Sequence, residues 1–257
     1  MIYQPVLARK KVFVQPFLVF WDLFLIQLAN WRWSWQAMAI NGLIVPMTTL
    51  YFLKTMGTAA DQPELILSGN IIVSLIFTTM YGTSARFSFM RTFGVLDYYA
   101  TLPVPKALLV LAVNAGFLVL SLPTALLTVL IGQWFLGLNL SLSPMFLVLV
   151  PLASFSLSAV GAFVGVAAPN FDAANTVTAI LQFIFMGLGP VLLPEERLPA
   201  FAIFLGHFLP STYAADALRH TLNSTYDGRF FLDLAFLIIF DLLAMVFVGY
   251  KMEWRRG

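Results

Sequence analysis

Three side chains with the chemistry of a hydrolase triad, His207, Ser211 and Asp216, lie close together in the sequence. A triad needs these groups hydrogen-bonded to one another beside an oxyanion site. Spacings of four and five residues bring side chains near one face of a helix. However, Pro210 interrupts a helix over this stretch, and Ser211 is not flanked by glycines. We therefore predict no catalytic residues in this protein.

The sequence also lacks the usual groups that bind a metal or a nucleotide. It has no cysteine, which excludes thiolate metal sites and disulfides. The pair His207 and His220 is too small a ligand set to predict a metal. No G-x-x-x-x-G-K-[ST] motif occurs and no lysine follows a glycine, so the phosphate-binding P-loop is absent. We predict that the chain is not an enzyme, holds no cofactor, and depends on a separate polypeptide for any use of ATP and Mg²⁺.

The composition indicates what kind of element must position the remaining polar residues. Of the 257 residues, 60% are hydrophobic and only 10% are charged, whereas a soluble domain carries about 25% charged residues. A net charge of +2 is too small to indicate a nucleic-acid partner. The apolar residues form long runs, and about 20 residues are needed to cross a bilayer. These features predict an all-α integral membrane protein with about six transmembrane helices.

We predict the six spans, as residue ranges, at 34–53, 65–84, 106–131, 144–168, 176–193 and 231–250. Residues 1–33 then form a separate N-terminal region, and residues 34–254 form the six-span domain. The N-terminal region has a basic cluster, Arg9 to Lys11, and an amphipathic run at 16–30. Such a run is typical of a helix that lies in the membrane interface, although a fold-back of the first span is an alternative. The run at 144–168 contains a G-x-x-x-G motif, which predicts close helix packing.

The stretch between the last two spans is too short to be a seventh. The apolar run at 198–210 has about a dozen residues where about 20 are required. We therefore predict two short re-entrant helices that enter from outside and return, with Pro199 and Pro210 where each begins or breaks and with 212–222 as the returning arm. They would form an external cap, and Glu195 and Glu196 would mark its outer rim.

The distribution of basic residues predicts the orientation in the membrane. A six-span topology places ten of the fourteen lysines and arginines on the side of both termini and four on the opposite side. Because cytoplasmic loops are enriched in lysine and arginine, we predict that both termini are cytoplasmic.

Several polar residues lie within the predicted spans. Asp241 is near the middle of the last span, where a charged residue costs about 2.5–3.5 kcal/mol on insertion scales. We expect its carboxylate to face a partner or water, either in a translocation path or paired with a neighbouring Thr, Tyr or backbone group. The other path candidates, for which interhelical hydrogen bonding is the alternative role, are Asn41, Thr48, Asn70, Thr178 and Gln182.

Two segments give the sequence a family resemblance. FGVLDYYATLPVP lies between the second and third spans, and LLPEERLPAF…LPSTYAADALR lies between the fifth and sixth. With the basic N-terminal helix and the six spans, the sequence resembles the type-2 ABC transporter permeases, the membrane subunits of ABC exporters, over nearly the whole chain. The matching residues are Gly94, Leu96, Asp97, Pro103 and Val104 in the first segment, and Pro194, Glu195, Leu198, Pro199, Pro210, Tyr213, Ala217 and Arg219 in the second. Arg91 and Thr92 occupy the place where the family often has an acidic residue.

The resemblance implies roles for particular segments. Residues 86–105 would contain a cytoplasmic coupling helix that contacts an ABC ATPase, although a basic loop held by lipid headgroups is an alternative. The coupling residues would be Arg86, Phe87, Phe89, Arg91, Phe93, Gly94, Leu96 and Asp97. Spans one, two and five would face a second copy of the permease, or a related permease, with the substrate passing between the two. The external gate would consist of Glu195, Glu196, Pro199, Pro210 and Tyr213.

The resemblance also implies a function. We expect a plasma-membrane exporter subunit, a homodimer or a pair with a related permease, that moves an amphiphilic drug, antibiotic or lipid-like molecule. An exporter of lipid-linked polysaccharide is the alternative within this class. A stand-alone channel or secondary transporter is the alternative from another class, and it would be expected to show repeated halves, of which the sequence has no convincing sign.

Overall fold

A computed structural model of the protein describes residues 15–31, 35–56, 62–138 and 143–252. These residues form helices and no β-strand. The helices are α1 (Pro16–Trp31), α2 (Trp35–Thr55), α3 (Pro63–Thr92), α4 (Val95–Thr101), α5 (Lys106–Leu136), α6 (Phe146–Ala167), α7 (Phe171–Gly187), α8 (Ala200–Gly206), α9 (Pro210–Leu222) and α10 (Gly228–Lys251). The predicted basic cluster Arg9 to Lys11 lies outside the described residues.

Four helices within the described ranges, α3, α5, α6 and α10, are long and apolar enough to cross a membrane. α1 and α7 are apolar but shorter, and α2 is a helix of 21 residues. The structure is therefore that of an all-α integral membrane protein.

The helices α3 and α6 form the centre of the molecule because glycines let their backbones meet. A methyl group on Gly161 would lie 2.1 Å from the carbonyl oxygen of Met80, and one on Gly165 would lie 2.4 Å from that of Ser84. The hydroxyl of Thr83 donates a hydrogen bond of 2.9 Å to the carbonyl of Ser158. The G-x-x-x-G motif thus places α6 directly against the backbone of α3, as predicted.

Hydrogen bonds between helix ends define two ends of the bundle. At the first, which we call the α4 end, the start of α5 meets the end of α10, because Lys106 donates to the carbonyl of Met252. At the opposite end, Lys54 of α2 donates to the carbonyl of Phe135 in α5. Arg219 of α9 reaches the carbonyl of Pro190 there, at 3.0 Å. The helices α8 and α9 therefore lie at the end away from α4.

Three helices begin or end away from their predicted boundaries. α5 continues to Leu136, five residues beyond its predicted end at 131. α3 continues to Thr92, eight residues beyond the predicted end of the second span, so the first part of the predicted coupling segment extends that span. α7 covers Phe171–Gly187 rather than 176–193, because the side chain of Asn170 caps it by accepting a hydrogen bond from the amide of Ala173 at 2.8 Å. After Gly187 the chain turns, and Gly189 has a φ of +85°.

The stretch between α7 and α10 forms two short helices. Pro199 immediately precedes α8, and Pro210 is the first residue of α9. The Cα atoms of Gly189 and Gly206 come so close that a side chain on either would collide with the other. This contact holds the α8–α9 turn against the end of α7, while α9 packs on α3, α6 and α10.

α1 packs along α5 with part of its predicted polar side turned inward. Asp22 and Asn30 are exposed, but Gln27 is buried and accepts a hydrogen bond from Arg86 at 3.0 Å. The exposed apolar side chains of α1 include Phe17, Leu18 and Trp21. The predicted polar side of this helix is therefore only partly solvated.

Candidate functional site

A sharp turn at the α4 end joins α3 to α4. Gly94 lies at this turn with a φ of +71°, a left-handed conformation that glycine adopts without strain. Its carbonyl accepts a hydrogen bond from the amide of Asp97 at 3.1 Å. Asp97 lies in the first turn of α4, where a carboxylate is favoured by the partial positive charge of the helix N-terminus.

Aromatic side chains surround this turn on the outside. Phe93 and Tyr98 are about two-thirds exposed, and Phe89 is 40% exposed. The ring centroids of Phe89 and Phe93 are 4.5 Å apart. Together with the exposed Asp97, these residues form a continuous face that we call the α4 surface.

Two residues predicted to contact a partner here point into the protein instead. Phe87 is fully buried and Leu96 is 3% exposed, both in an apolar cluster with Phe117 and Val110. The amphipathic pattern of the segment did not distinguish its inner face from its outer face. The side chains of Phe87 and Leu96 therefore hold α4 in place and do not form part of the α4 surface.

The two predicted coupling arginines are also engaged within the chain. Arg91 donates to the carbonyls of Val166 and Ala168, at 2.6 and 2.5 Å, and so provides partners for carbonyls at the end of α6, where the helix itself leaves carbonyls without a donor. Arg86 binds Gln27 and lies near Tyr99. Burial raises the pKa of the Tyr99 phenol, and the positive charge of Arg86 opposes that rise.

The middle of α3 contains a π-helical segment, Ile76–Met80, which the sequence analysis did not predict. It packs against α6 and α5 and also contacts α2 and α7. On one side Gly42 of α2 lies against the methyl group of Thr78. On the other side the amide of Gln182 in α7 donates to the carbonyl of Ile76 at 3.4 Å. Segments of this kind often occur at functional sites.

The predicted path residues divide into two groups. Asn41 and Thr48 are exposed on α2. The Thr48 hydroxyl donates a hydrogen bond to the carbonyl of Ile44 in the preceding turn of the same helix. Asn70, Thr178 and Gln182 are buried within this chain. The Thr178 hydroxyl lies 2.6 Å from that of Ser84, and the side-chain oxygen of Asn70 has no partner among the described residues.

Asp241 lies on α10 and is paired with α6. Its carboxylate accepts a hydrogen bond of 2.5 Å from the hydroxyl of Ser156. This contact gives Asp241 a protein partner of the kind that the sequence analysis considered, with serine in place of threonine or tyrosine.

The predicted gate residues lie together at the opposite end. Glu195 and Glu196 are exposed in a single 3₁₀ turn, Pro199 is exposed and Pro210 is buried. The Tyr213 hydroxyl donates to the carbonyl of His207 at 2.8 Å, and its ring stacks on that of Phe236 at 3.8 Å.

The residues that suggested a hydrolase triad do not form one. His207 Nδ1 lies 2.7 Å from the carbonyl of Ile203, and Asp216 accepts from Arg219 at 2.5 Å. Burial raises the pKa of the Asp216 carboxyl, and the charge of Arg219 opposes that rise. The Ser211 hydroxyl is buried without a partner in the described part of the chain.

A family model described as "ABC-2 type transporter" matches residues 15–223. The chain belongs to this family. It is therefore a permease component of an ABC transporter, located in a membrane, and membership in the family implies association with ABC ATPases. No curated protein matches the chain.

Three features of these sites were missed by sequence reasoning. The residues Ile76–Met80 have no pattern that distinguishes a π segment from an α-helix. Tyr98 is an aromatic residue of FGVLDYYATLPVP next to the predicted coupling residue Asp97, and this position is the signal that could have identified it. Asp233, which is buried near the start of α10, could have been found by the same argument that identified Asp241, since it is an acidic residue within the last apolar run.

Proposed function

We propose that this protein is the membrane-spanning permease of an ATP-driven exporter that moves an amphiphilic drug, antibiotic or lipid-like molecule out of the cytoplasm. ATP and Mg²⁺ would be bound by a separate ABC ATPase. In this proposal residues 1–33 form a cytoplasmic and interfacial region, and residues 34–254 form a domain with six spans, α2, α3, α5, α6, α7 and α10. Both termini would be on the cytoplasmic side of the plasma membrane, at the α4 end.

The α4 surface is the observation on which the proposal rests. It presents Phe89, Phe93 and Tyr98 around the acidic Asp97 on a chain of a family that works with ATPases. Exposed aromatic clusters of this kind are typical of protein interfaces. Because α4 follows α3 across a single turn, movement of a partner against this surface would be transmitted to the π segment, which contacts α2 and α7.

The amphiphilic substrate is supported by the exposed faces of α2 and α7. Ile40 and Ile44 on α2 and Ile180 and Phe183 on α7 are all more than half exposed. Polar groups such as Asn41 are interspersed among them. Two copies of the chain, placed with these faces toward each other, would enclose a mainly apolar path with few hydrogen-bonding groups, beneath a cap formed by α8 and α9.

The proposal is tested by co-expressing the chain with candidate ABC ATPases and measuring complex formation and ATP hydrolysis in proteoliposomes. We expect Asp97→Arg and Phe93→Ala to leave insertion unchanged but to reduce substrate-stimulated hydrolysis about tenfold or more, as expected for interface hot spots. Asp97→Arg should lower the free energy of unfolding by no more than about 1 kcal/mol, through loss of the favourable charge at the start of α4.

Asp172→Arg is the matched control. Asp172 is also an exposed acidic residue in the first turn of a helix that begins at the α4 end, but it lies outside the α4 surface. Its replacement should leave hydrolysis within twofold of the wild type. Full coupling in both Asp97→Arg and Phe93→Ala would overturn the assignment of the α4 surface, and the absence of any stable ATPase complex would overturn the exporter itself.

A further inference from the structure

A polar pocket of about 750 Å³ lies between α9 and α10 at the end opposite α4. Its wall is formed by His207 and Tyr213, by Asp216, Arg219 and His220 of α9, and by Arg229, Leu232 and Asp233 of α10. It is separate from the α4 surface and from the faces of α2 and α7, and the proposed function assigns it no role.

Most of the charges around this pocket are balanced by a neighbour. Asp216 and Arg219 form an ion pair at 2.5 Å. Asp227 caps α10 by accepting from the amide of Phe230 and lies 3.7 Å from His220 Nδ1. Arg229 is exposed to solvent. The charges of Asp216, Arg219 and Asp227 therefore each have a neighbour of opposite or partial positive charge, although Arg219 Nε has no hydrogen-bond partner among the described residues.

Asp233 differs from them. Its side chain lines the pocket but is only 9% exposed. It has no hydrogen bond or ion pair in the described ranges, and the charges of Arg229 and Arg219 act on it without direct contact. An ionised carboxylate that is buried without a partner is unfavourable. A cation entering the pocket would relieve that cost and gain a charge-assisted hydrogen bond.

The surroundings restrict the cation to an organic one. Among the described residues no group of three or more histidine or acidic side chains is arranged to hold a metal ion. Three aspartates, Asp216, Asp227 and Asp233, and two arginines, Arg219 and Arg229, line the pocket, and this balance disfavours an anion. Leu232 and the Tyr213 ring provide apolar surface beside the carboxylate, which suits a short alkyl chain that carries an ammonium group.

We propose that the pocket between α9 and α10 binds the ammonium group of a cationic amphiphile, with Asp233 as its counter-ion. This inference rests on the proposed function in one respect: it assigns a positive charge to the amphiphile that the exporter releases at this end. Binding itself needs neither ATP nor the ATPase.

The test uses the full chain in lipid nanodiscs without an ATPase, and three fluorescent probes of matched shape. Dansylcadaverine carries a primary ammonium, its N-acetyl derivative is neutral, and 6-(dansylamino)hexanoate is an anion. We expect saturable binding of dansylcadaverine, with the neutral and anionic probes about tenfold or more weaker, as befits the loss of a hydrogen bond to a charged group. Equal affinity for the neutral probe would overturn the proposal.

Asp233→Asn should weaken dansylcadaverine binding by about tenfold or more and leave the neutral probe unchanged. Its melting temperature should not fall, because the substitution removes a buried charge that has no hydrogen-bond partner.

Asp172→Asn at the other end of the bundle is the control and should bind dansylcadaverine like the wild type. Wild-type affinity in Asp233→Asn would refute the site, and the comparison of the three probes on the wild type decides the matter if the variant does not fold. Since no ATPase is present, failure here leaves the exporter assignment intact, whereas failure of complex formation with an ATPase leaves this site intact.

Discussion

The helices α3 and α10 are both long and apolar, yet their surroundings are opposite. The apolar window of α3 is 89% buried within the chain, whereas that of α10 is only 17% buried. α3 is in contact with α2, α5, α6, α7 and α9. α10 presents side chains such as Ile239 and Val246 to the outside and turns Asp241 toward α6. Two helices that are both long and apolar enough to span a membrane therefore have different surroundings: α3 is the packed centre of the chain, and α10 presents most of its apolar side chains outside it.

The comparison predicts that the same substitution has a different cost on each helix. Ile72 of α3 is fully buried and Ile239 of α10 is 57% exposed. Ile72→Ala should lower the free energy of unfolding by about 2–5 kcal/mol because it leaves a cavity. Ile239→Ala should change it by less than about 0.5 kcal/mol, since truncation of an exposed side chain leaves no internal cavity. Thermal unfolding of the purified variants in one detergent measures both, and equal losses would remove the distinction between the helices.

Glycine substitutions sharpen the contrast at the backbone. Gly161→Ala should destabilise the protein by about 1–3 kcal/mol, because the added methyl group meets the Met80 carbonyl of α3 at 2.1 Å. Gly249 of α10 has no neighbouring atom within 4 Å of the position of such a methyl group. Gly249→Ala should therefore be neutral or stabilising by up to about 1 kcal/mol. If Gly161→Ala has the same melting temperature as the wild type, the close contact between the backbones of α3 and α6 is not required for stability.

The hydrogen bond between Ser156 and Asp241 adds a single polar contact to the packing of α10 on α6, and a small net loss is expected when both of its groups are removed together. Ser156→Ala should cost about 1–3 kcal/mol by leaving the Asp241 carboxylate without its donor. The double variant Ser156→Ala/Asp241→Leu should recover most of that loss, since neither polar group then remains. The same unfolding assay checks this cycle, and additive losses in the double variant would contradict the pairing.

The sequence predicted the helical membrane architecture because apolar length is a local property. The predictions were least accurate where two distant segments meet. Residues 86–92 carry charges and a mixed pattern, and their helix is part of α3 because Arg91 reaches the carbonyls at the end of α6. That contact is 75 residues away in the chain and leaves no local signal. Likewise, Gln27 is buried where α1 packs on its neighbours, and its hydrogen bond comes from Arg86, 59 residues away in the chain.

Some of the missing detail was available locally. Asn170 followed by an acidic residue is a helix-capping pattern, and its recognition would have placed the start of α7 at Phe171 rather than at 176. The roles of individual path and gate residues are a different matter. Burial of Asn70, Thr178 and Gln182 within one chain depends on packing among α3, α7 and their neighbours, which hydropathy alone does not determine.

The π segment Ile76–Met80 adds one residue to the middle of α3. Each residue of an α-helix turns the chain by about 100°, so this single addition sets the phase between the two halves of the helix. Ser74, before the segment, faces α2 by donating to the carbonyl of Gly42, and Thr83, after it, faces α6. Deleting one residue here would restore the regular hydrogen bonds of an α-helix. It would also rotate one half of α3 relative to the other, so that either Ser74 or Thr83 would turn away from its partner helix. The π segment thus fixes the rotation between the two halves of α3, and this rotation allows a single helix to form hydrogen bonds with two neighbours that lie in different directions.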